Sequence, residues 1–376
     1  MGPPDDPRGR ALLVSGALGM GHVVTAQACA DSLAARGWSV QTVDAMRLLG
    51  GRAGGAGERV FRSMIAVPGL YDAFHFAALR PGTRLALLAD AGARRQLIPR
   101  LAEYLDSHPA ALAISVFATG ASAISAIADR YPAMMHVVLC WDATPHRLWV
   151  HPHVDMYLVT SRVAERAVRR FQPRATVRIV PPPVQPAFCT PPARAAARDR
   201  LGVPGRARCV LLMSGGWGLG PVAEAAAALG DAGVHVLAVA GHNARLEAAL
   251  RAVAGRQPRV RAFGFTDRVP ELMSAADLVI TSPGGTCAEA RAVGRPLLLL
   301  DVVPGHGRDN LQHELELGNA FVTSAAHEDV VANALAALAV GGEPEPVFAG
   351  PDWGAAFSSV LAELNLAGPV PGGSPV

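Results

Sequence analysis

Two glycine-rich turns, each directly after an apolar run, are the segments of this chain best suited to bind an anion. The first is residues 16–22, which follows residues 11–14, and the second is residues 282–286, which follows Leu278–Thr281. Each pattern predicts a strand, a tight turn and a helix start, where free backbone N–H groups and the positive end of the helix dipole favour negative charge. The first turn matches neither the P-loop nor the GxGxxG pattern. Two such turns in two similar halves predict a phosphorylated ligand held between paired α/β domains.

Two side chains could take a proton from a hydroxyl group, His22 and Asp142. His22 stands at the predicted helix start after the first turn, and imidazole accepts a proton near neutral pH. It could equally cap or pack against that helix. Asp142 follows the predicted strand at residues 136–140, where it could accept a proton or cap the turn at Thr144-Pro145. Both residues are therefore candidates for a general base.

Three nearby histidines, His146, His151 and His153, are the only group in this region with the side chains of a metal site. They lie in an irregular, proline-containing segment, so their spacing does not fix a tetrahedral geometry. We therefore predict no metal ion.

The second turn would present the backbone N–H groups of Gly284, Gly285 and Thr286 to a diphosphate. Glu289 comes three residues after Thr286, which spells a capping box but also places a carboxylate where it could bind sugar hydroxyls. Residues 304–310 are predicted to form a polar, flexible loop suited to a hydroxyl-rich ligand.

The composition allows sizeable cores and an uneven distribution of charge. Hydrophobic residues make up 51% and charged residues 17% of the 376-residue chain, and all 34 basic residues are arginine. The net charge of +3 is unevenly distributed. The first half is basic, because residues 1–185 contain 20 arginines and 13 acidic residues. Such a half could face an anionic membrane or a phosphorylated acceptor, or have no partner. Five scattered cysteines fit a reducing cytosol, and no nucleic-acid partner is predicted.

The pattern of strands and helices predicts two doubly wound parallel sheets. We expect an N-terminal domain at 1–185, a proline-rich linker at 186–207, a C-terminal domain at 208–345, and at 346–376 a tail whose helix returns to the first domain. The longest uncharged stretch, residues 110–128, is interpreted as a strand and a helix rather than as a membrane span. Residues 59–105 mix apolar residues and arginines at helical spacing, which is typical of a membrane-surface segment or of ordinary packed helices.

Several motifs occur in the order known from one enzyme family. They are Gly19-Met20-Gly21-His22, then Asp142, His146 and Trp149 in the pattern D-x3-H-x2-W, then Met213 to Gly216, Phe263 to Phe265, residues 282–286, and Asn310. With them the chain resembles glycosyltransferase family 28, and within it the bacterial and plant diacylglycerol glycosyltransferases.

The resemblance implies a GT-B fold, meaning two Rossmann-like α/β domains that face a cleft. It implies a UDP-sugar co-substrate in the C-terminal domain, a lipid acceptor in the N-terminal domain, inversion at the anomeric carbon, a peripheral place on the cytoplasmic face of a membrane, and no cofactor. The implied bases are His22 and Asp142, and the implied acceptor-side residues are Gly19, Gly21, His146 and Trp149. The implied donor-site residues are Gly215, Gly216, Phe265, Val269, Gly284, Gly285, Thr286, Glu289, His306 and Asn310.

The chain departs from the family pattern at two places. Where the family usually reads PGQE, this chain has Pro304-Gly305-His306-Gly307, and Trp141 stands where the family often has a threonine. The sequence therefore predicts transfer of a hexose, without choosing which, to a lipid hydroxyl, above all that of diacylglycerol. The alternatives are a polyprenyl-linked or natural-product acceptor, a UDP-sugar 2-epimerase, and a non-catalytic sensor of sugar nucleotides.

Overall fold

The chain forms two compact α/β units. The computed structural model describes residues 9–16, 20–48, 83–213, 220–302, 306–340 and 353–366. The N-terminal unit comprises Met1–Pro183 together with Gly350–Val376, and the C-terminal unit comprises Val184–Ala349.

The described part of the N-terminal unit has a parallel sheet of six strands in the order β2-β1-β3-β4-β5-β6. Strands β1 to β6 are Arg10–Ser15, Ser39–Asp44, Leu112–Ser115, Met135–Cys140, Met156–Val159 and Val177–Ile179. All four residues of β3 are buried, as expected of a parallel strand covered by helices on both faces. Because β1, β3 and β4 are parallel neighbours, the segments that leave their carboxyl ends meet at one edge of the sheet.

Helices cover both faces of this sheet. In the described residues they are Met20–Ala34, Ala45–Leu48, Arg84–Ser107, Ala118–Ile127, Arg162–Phe171 and, from the far end of the chain, Trp353–Glu363. Trp353 and Phe357 stack at 4.8 Å and belong to the same buried cluster as Leu13. Arg36 donates to the carbonyl of Gly354 at 2.6 Å. The last described helix is thus part of the N-terminal core.

The C-terminal unit repeats the plan with strands in the order β12-β11-β10-β7-β8-β9. Strands β7 to β12 are Cys209–Met213, His235–Val239, Val260–Phe263, Leu278–Thr281, Leu297–Leu300 and Ala320–Thr323. Its described helices are Pro186–Cys189, Arg194–Arg200, Val222–Asp231, Ala244–Ala254, Val269–Ala275, Gly285–Ala292, His306–Glu316 and His327–Val340. The chain order reverses between β7 and β10, the place where doubly wound sheets bind ligands.

Two segments differ from their sequence-based predictions. Residues 186–207, predicted as a linker, contain two short helices. Phe188 and Ala197 in these helices, and Leu201 directly after the second, are buried in the C-terminal core. The predicted loop at 304–310 is helical from His306 onward. Leu311 and Leu315, four residues apart, pack on the same core and hold that helix in place.

Two edge strands, β6 and β12, were not predicted from the sequence. Strand β6 is three residues long, and β12 leaves Phe321 and Val322 largely exposed, so neither has the buried apolar run of a central strand. Strand β12 is introduced instead by Gly318 and Asn319, whose φ angles of 78° and 51° turn the chain out of the preceding helix.

Candidate functional site

In the N-terminal unit, the carboxyl ends of three neighbouring strands bring the candidate base His22 together with aromatic side chains. His22 lies in the first turn of helix Met20–Ala34, which follows β1. Phe117 follows β3, and Trp141 and Asp142 follow β4. The sheet order, rather than proximity along the chain, thus assembles this group.

The imidazole of His22 is held in one tautomer. Its Nδ1 lies 2.7 Å from the carbonyl oxygen of Val116. Because a carbonyl can only accept, the neutral ring donates its proton from Nδ1 and carries its lone pair on Nε2. Burial lowers the pKa of His22 below 6.5, although the charge of Asp142 and the Val116 carbonyl act in the opposite direction. His22 is therefore a neutral proton acceptor at neutral pH.

Three aromatic rings surround this imidazole. The ring centroids of Phe117, Trp141 and Trp149 lie 5.3, 6.0 and 6.2 Å from that of His22. A Cβ atom on Gly21 would come within 2.6 Å of the Trp141 ring, so the glycine is what allows the indole to approach. The indole N–H of Trp141 is buried and has no acceptor among the described residues. The enclosure leaves His22 half-buried and leaves one donor for a ligand oxygen.

Asp142, the other candidate base, is anchored by an aromatic residue of this enclosure. The indole Nε1 of Trp149 donates to its Oδ2 at 3.1 Å. The carboxylate therefore has a fixed orientation, and its charge favours the protonated form of His22. Asp142 is thus placed to stabilise an imidazolium at His22.

Trp149→Phe is expected to lower kcat roughly 3- to 10-fold, because it keeps an aromatic ring, although a smaller one, but removes one hydrogen bond to a charged group. Trp353→Phe is the matched control, since Trp353 donates to Ser32 Oγ at 3.0 Å in the core and lies in no proposed site. It is expected to lower thermal stability and to leave kcat unchanged. Equal kcat values for Trp149→Phe and the parent chain would show that this bond does not position Asp142.

The three neighbouring histidines point to separate partners in the structure. His151 Nε2 lies 2.8 Å from the carbonyl of Leu148, and His153 Nδ1 lies 3.9 Å from Asp129. His146 lies beside Trp149, with ring centroids 6.3 Å apart. Among the residues described, no three histidine, cysteine or acidic side chains are grouped to hold a metal ion.

In the C-terminal unit, the second glycine turn leaves the central strand β10 and enters helix Gly285–Ala292. The N-cap of this helix is Gly284, which has no side chain to hydrogen-bond to the free amides. Thr286 is therefore inside the first turn and is not a cap, so the capping-box interpretation is wrong. A Cβ atom on Gly284 or Gly285 would meet no atom of the described residues within 4 Å, so none of these residues covers the free amides.

Glu289 lies one turn further along this helix. Burial raises its pKa to about 7, so the carboxylate is held in an environment that disfavours its charge. Such a destabilised carboxylate is typical of a ligand-binding position, where the ligand rather than the protein supplies hydrogen bonds.

Glu289→Gln is expected to stabilise the chain by about 3 kcal/mol at about pH 8 and by less than about 1 kcal/mol at about pH 5, while weakening nucleotide binding. The native pKa lies above that of the unfolded chain, so stability is lost as pH rises from 4.5 through about 7, and glutamine removes that loss. Thermal unfolding across this range measures it, with the exposed Glu224→Gln as control. A pH-independent difference would contradict the assignment.

A stacked pair lies beyond strands β8 and β9. The ring of Phe265, which is 66% exposed, stacks on His242 with centroids 4.1 Å apart and planes 15° apart. Sequence reasoning selected Phe265 and Val269 but missed His242. One feature of the sequence could have indicated His242. It follows the buried strand β8 closely, just as the glycine turn at residues 282–286 follows the buried strand β10. An exposed stack of this kind offers a flat surface to a nucleobase.

Two predicted donor residues lie in helix His306–Glu316, and three other predicted site residues, one on the acceptor side and two on the donor side, lie outside the described residues. Asn310 lies in helix His306–Glu316 and is 7% exposed, so it is a buried helical residue and not part of a flexible loop. His306 begins that helix. Gly19, Gly215 and Gly216 lie outside the described residues.

Comparison with known proteins assigns most of the C-terminal unit to a family. Residues 221–335 match the model of the glycosyltransferase family 28 C-terminal domain. These residues are a glycosyltransferase family 28 domain. The family 28 domain contains Gly284, Gly285, Thr286 and Glu289.

Relatives of known function extend this similarity into a branch of the family. The chain is 33% identical over 236 residues to monogalactosyldiacylglycerol synthase 2 of Arabidopsis thaliana, covering 54% of this chain and 49% of the relative. It is 31% identical over 195 residues to the processive diacylglycerol beta-glucosyltransferase of Bacillus pumilus, covering 50% and 51%. The resemblance to diacylglycerol glycosyltransferases is thereby confirmed. The matches span only about a third to a half of each relative's length.

Solved structures confirm the GT-B fold class. A sucrose-phosphate synthase from Thermosynechococcus elongatus aligns over 95% of this chain and 99% of its own, with a TM-score of 0.58 and 15% identity. A UDP-glucosyltransferase from Polygonum tinctorium aligns over the same shares, with a TM-score of 0.59 and 12% identity. At such identities the likeness concerns the fold alone. Within the part of the chain described above, no helix has the length and apolar character needed to cross a bilayer.

Proposed function

We propose that this chain transfers a hexose from a UDP-sugar to a hydroxyl group of a lipid, with diacylglycerol as the acceptor. The observation that carries the proposal is the His22 geometry, because a buried imidazole with Nδ1 bound to a carbonyl presents a basic Nε2 to a hydroxyl. Diacylglycerol supplies one such hydroxyl, and the relatives are named for acting on it.

The reaction is a single displacement. The acceptor oxygen attacks the anomeric carbon while the bond from that carbon to UDP breaks, and UDP leaves with the electron pair. The hydroxyl proton passes to Nε2 of His22, and the charge of Asp142 stabilises the imidazolium that forms. One displacement inverts the anomeric configuration.

The family 28 domain binds UDP in three parts. The amides of Gly284, Gly285 and Thr286 and the positive end of their helix bind the diphosphate and stabilise it as it leaves. Glu289 accepts hydrogen bonds from ribose hydroxyls, and the stacked ring of Phe265 receives the uracil. Gly215, Gly216, Val269, His306 and Asn310 complete the donor site in this proposal.

A place on the cytoplasmic face of a membrane fits the lipid acceptor. The described part of the basic N-terminal unit includes helix Arg84–Ser107, whose first turns expose Leu87 by 41% and Leu88 by 70%. Apolar side chains beside arginines favour an anionic lipid surface. Sedimentation with vesicles at low and high salt tests this, and binding to anionic vesicles that falls with salt is expected.

The activity is tested with labelled UDP-glucose, UDP-galactose and UDP-N-acetylglucosamine, each incubated with diacylglycerol in mixed micelles. We expect one donor to give a glycolipid whose mass exceeds that of the acceptor by one sugar residue. The proposal fails if no donor gives a lipid product, and conversion of a donor without any acceptor would identify an epimerase instead.

A further inference from the structure

A cavity of about 630 Å³ lies in the C-terminal unit, away from the proposed donor site. Four of its lining residues directly precede strands, namely Arg208 before β7, Asp277 before β10, Pro296 before β11 and Asn319 before β12. They therefore lie at the amino edge of the parallel sheet, whereas the turn at residues 282–286 leaves the carboxyl edge. Its volume is in the range of small-molecule sites.

The cavity lining is strongly cationic. Its charged residues are one acid, Asp277, and five arginines, which are Arg194, Arg198, Arg206, Arg208 and Arg295. Arg198 has a structural role, because it pairs with Asp277 at 2.8 Å and donates to the carbonyls of Gly205 and Ala207. Arg194 also pairs with Asp277. One carboxylate thus faces five guanidinium groups, which leaves four positive charges in excess.

Two of these arginines are available for a ligand. Arg206 and Arg208 are exposed, and neither pairs with an acid among the described residues. The Nε of Arg194 is buried and donates to no acceptor in the same part of the chain. Guanidinium groups bind phosphate oxygens through paired N–H donors, so a phosphate group is the anion that suits this lining.

Part of the cavity lining is an apolar wall. It is formed by Phe321, Ala337, Leu338 and Val340, of which Phe321 is 39% and Val340 72% exposed. Inorganic phosphate alone would leave this wall in contact with water. A phosphate ester with an aliphatic substituent would cover the wall while its head group meets the arginines.

We propose that this cavity binds the phosphate group of an aliphatic phosphate ester. The ester is chemically distinct from both proposed substrates, since diacylglycerol has no phosphate and the UDP-sugar has no aliphatic chain. The site therefore adds a second ligand to the chain, on the unit that holds the proposed donor site and at the other edge of its sheet.

Calorimetric titration of the full chain with hexyl phosphate tests the proposal. Arg206→Gln/Arg208→Gln is expected to weaken binding at least 10-fold, because it removes two charges without touching the Asp277 pairs. Arg256→Gln/Arg259→Gln, which removes two exposed arginines elsewhere in the unit, is the matched control and should bind normally. Equal affinities in the two double variants, or no binding at all, would overturn the proposal.

Two further arms test the apolar wall and separate this site from the donor site. Inorganic phosphate should bind at least 10-fold more weakly than hexyl phosphate, and Phe321→Ala should weaken only the ester. Equal binding of both ligands would exclude an aliphatic ester as the occupant. The affinity for UDP should be unchanged in Arg206→Gln/Arg208→Gln. A negative result for the ester site can therefore be told apart from a negative result for the proposed donor site. Vesicles with and without phosphatidate then show whether a lipid or a soluble ester is the source.

Discussion

His22→Ala is expected to lower kcat about a thousandfold while UDP binds as it does to the parent chain. The variant removes the Nε2 lone pair that would take the acceptor proton, and it leaves the family 28 domain untouched. Initial rates with diacylglycerol and titration with UDP measure the two quantities separately. His108→Ala, which removes an exposed imidazole stacked on Tyr104, is the matched control and should keep full activity.

The pH dependence supplies a second test of His22. Its pKa lies below 6.5 because the ring is buried, so kcat/KM should stay constant from neutral pH to below 6.5 and then fall as the imidazole gains a proton. Asp142→Asn should move this fall to lower pH, because it removes the charge that favours the imidazolium. If His22→Ala retains more than a tenth of the parent kcat, His22 is not the base.

Gly285→Asp is expected to raise the KM for the UDP-sugar about 100-fold, because a carboxylate would face the diphosphate at the helix start. Aspartate there complements the helix dipole, and its Cβ atom meets no atom of the described residues within 4 Å, so the fold should be undamaged. Steady-state kinetics measure the effect.

Gly285→Asn is the uncharged control for Gly285→Asp. It has nearly the same size and shape, so it should raise KM far less than the aspartate does. A high salt concentration should reduce the difference in KM between the aspartate and asparagine variants, because salt screens the charge of the aspartate. If both variants raise KM equally, shape rather than charge matters at this position, and the diphosphate does not lie over these amides.

The central strands could be predicted from the sequence because their residues are apolar and end at turn signals. Three of them were predicted at residues 11–14, 136–140 and 278–281, and the structure has them at Arg10–Ser15, Met135–Cys140 and Leu278–Thr281. The edge strand Ala320–Thr323 could not be predicted, because an exposed edge has no buried run. Helix His306–Glu316 was missed because its polar first turn resembles a loop, and its packing depends on a core formed by other segments.

The sequence indicated His22 and Asp142, but not what makes His22 a base. Its partner carbonyl belongs to Val116, 94 positions away, and its enclosure comes from Phe117 and Trp141 on two other segments. Only the order of strands in the sheet brings these residues together. His242 was missed for the same reason, because its stacking partner Phe265 follows a different strand.

A crystal structure of the chain with UDP tests the central claim most directly. We expect the diphosphate on the amides of Gly284, Gly285 and Thr286, the ribose hydroxyls within hydrogen-bond distance of Glu289, and the uracil on Phe265. UDP bound at another place at full occupancy would contradict the account. So would a crystal without bound UDP at a UDP concentration that saturates the same chain in solution.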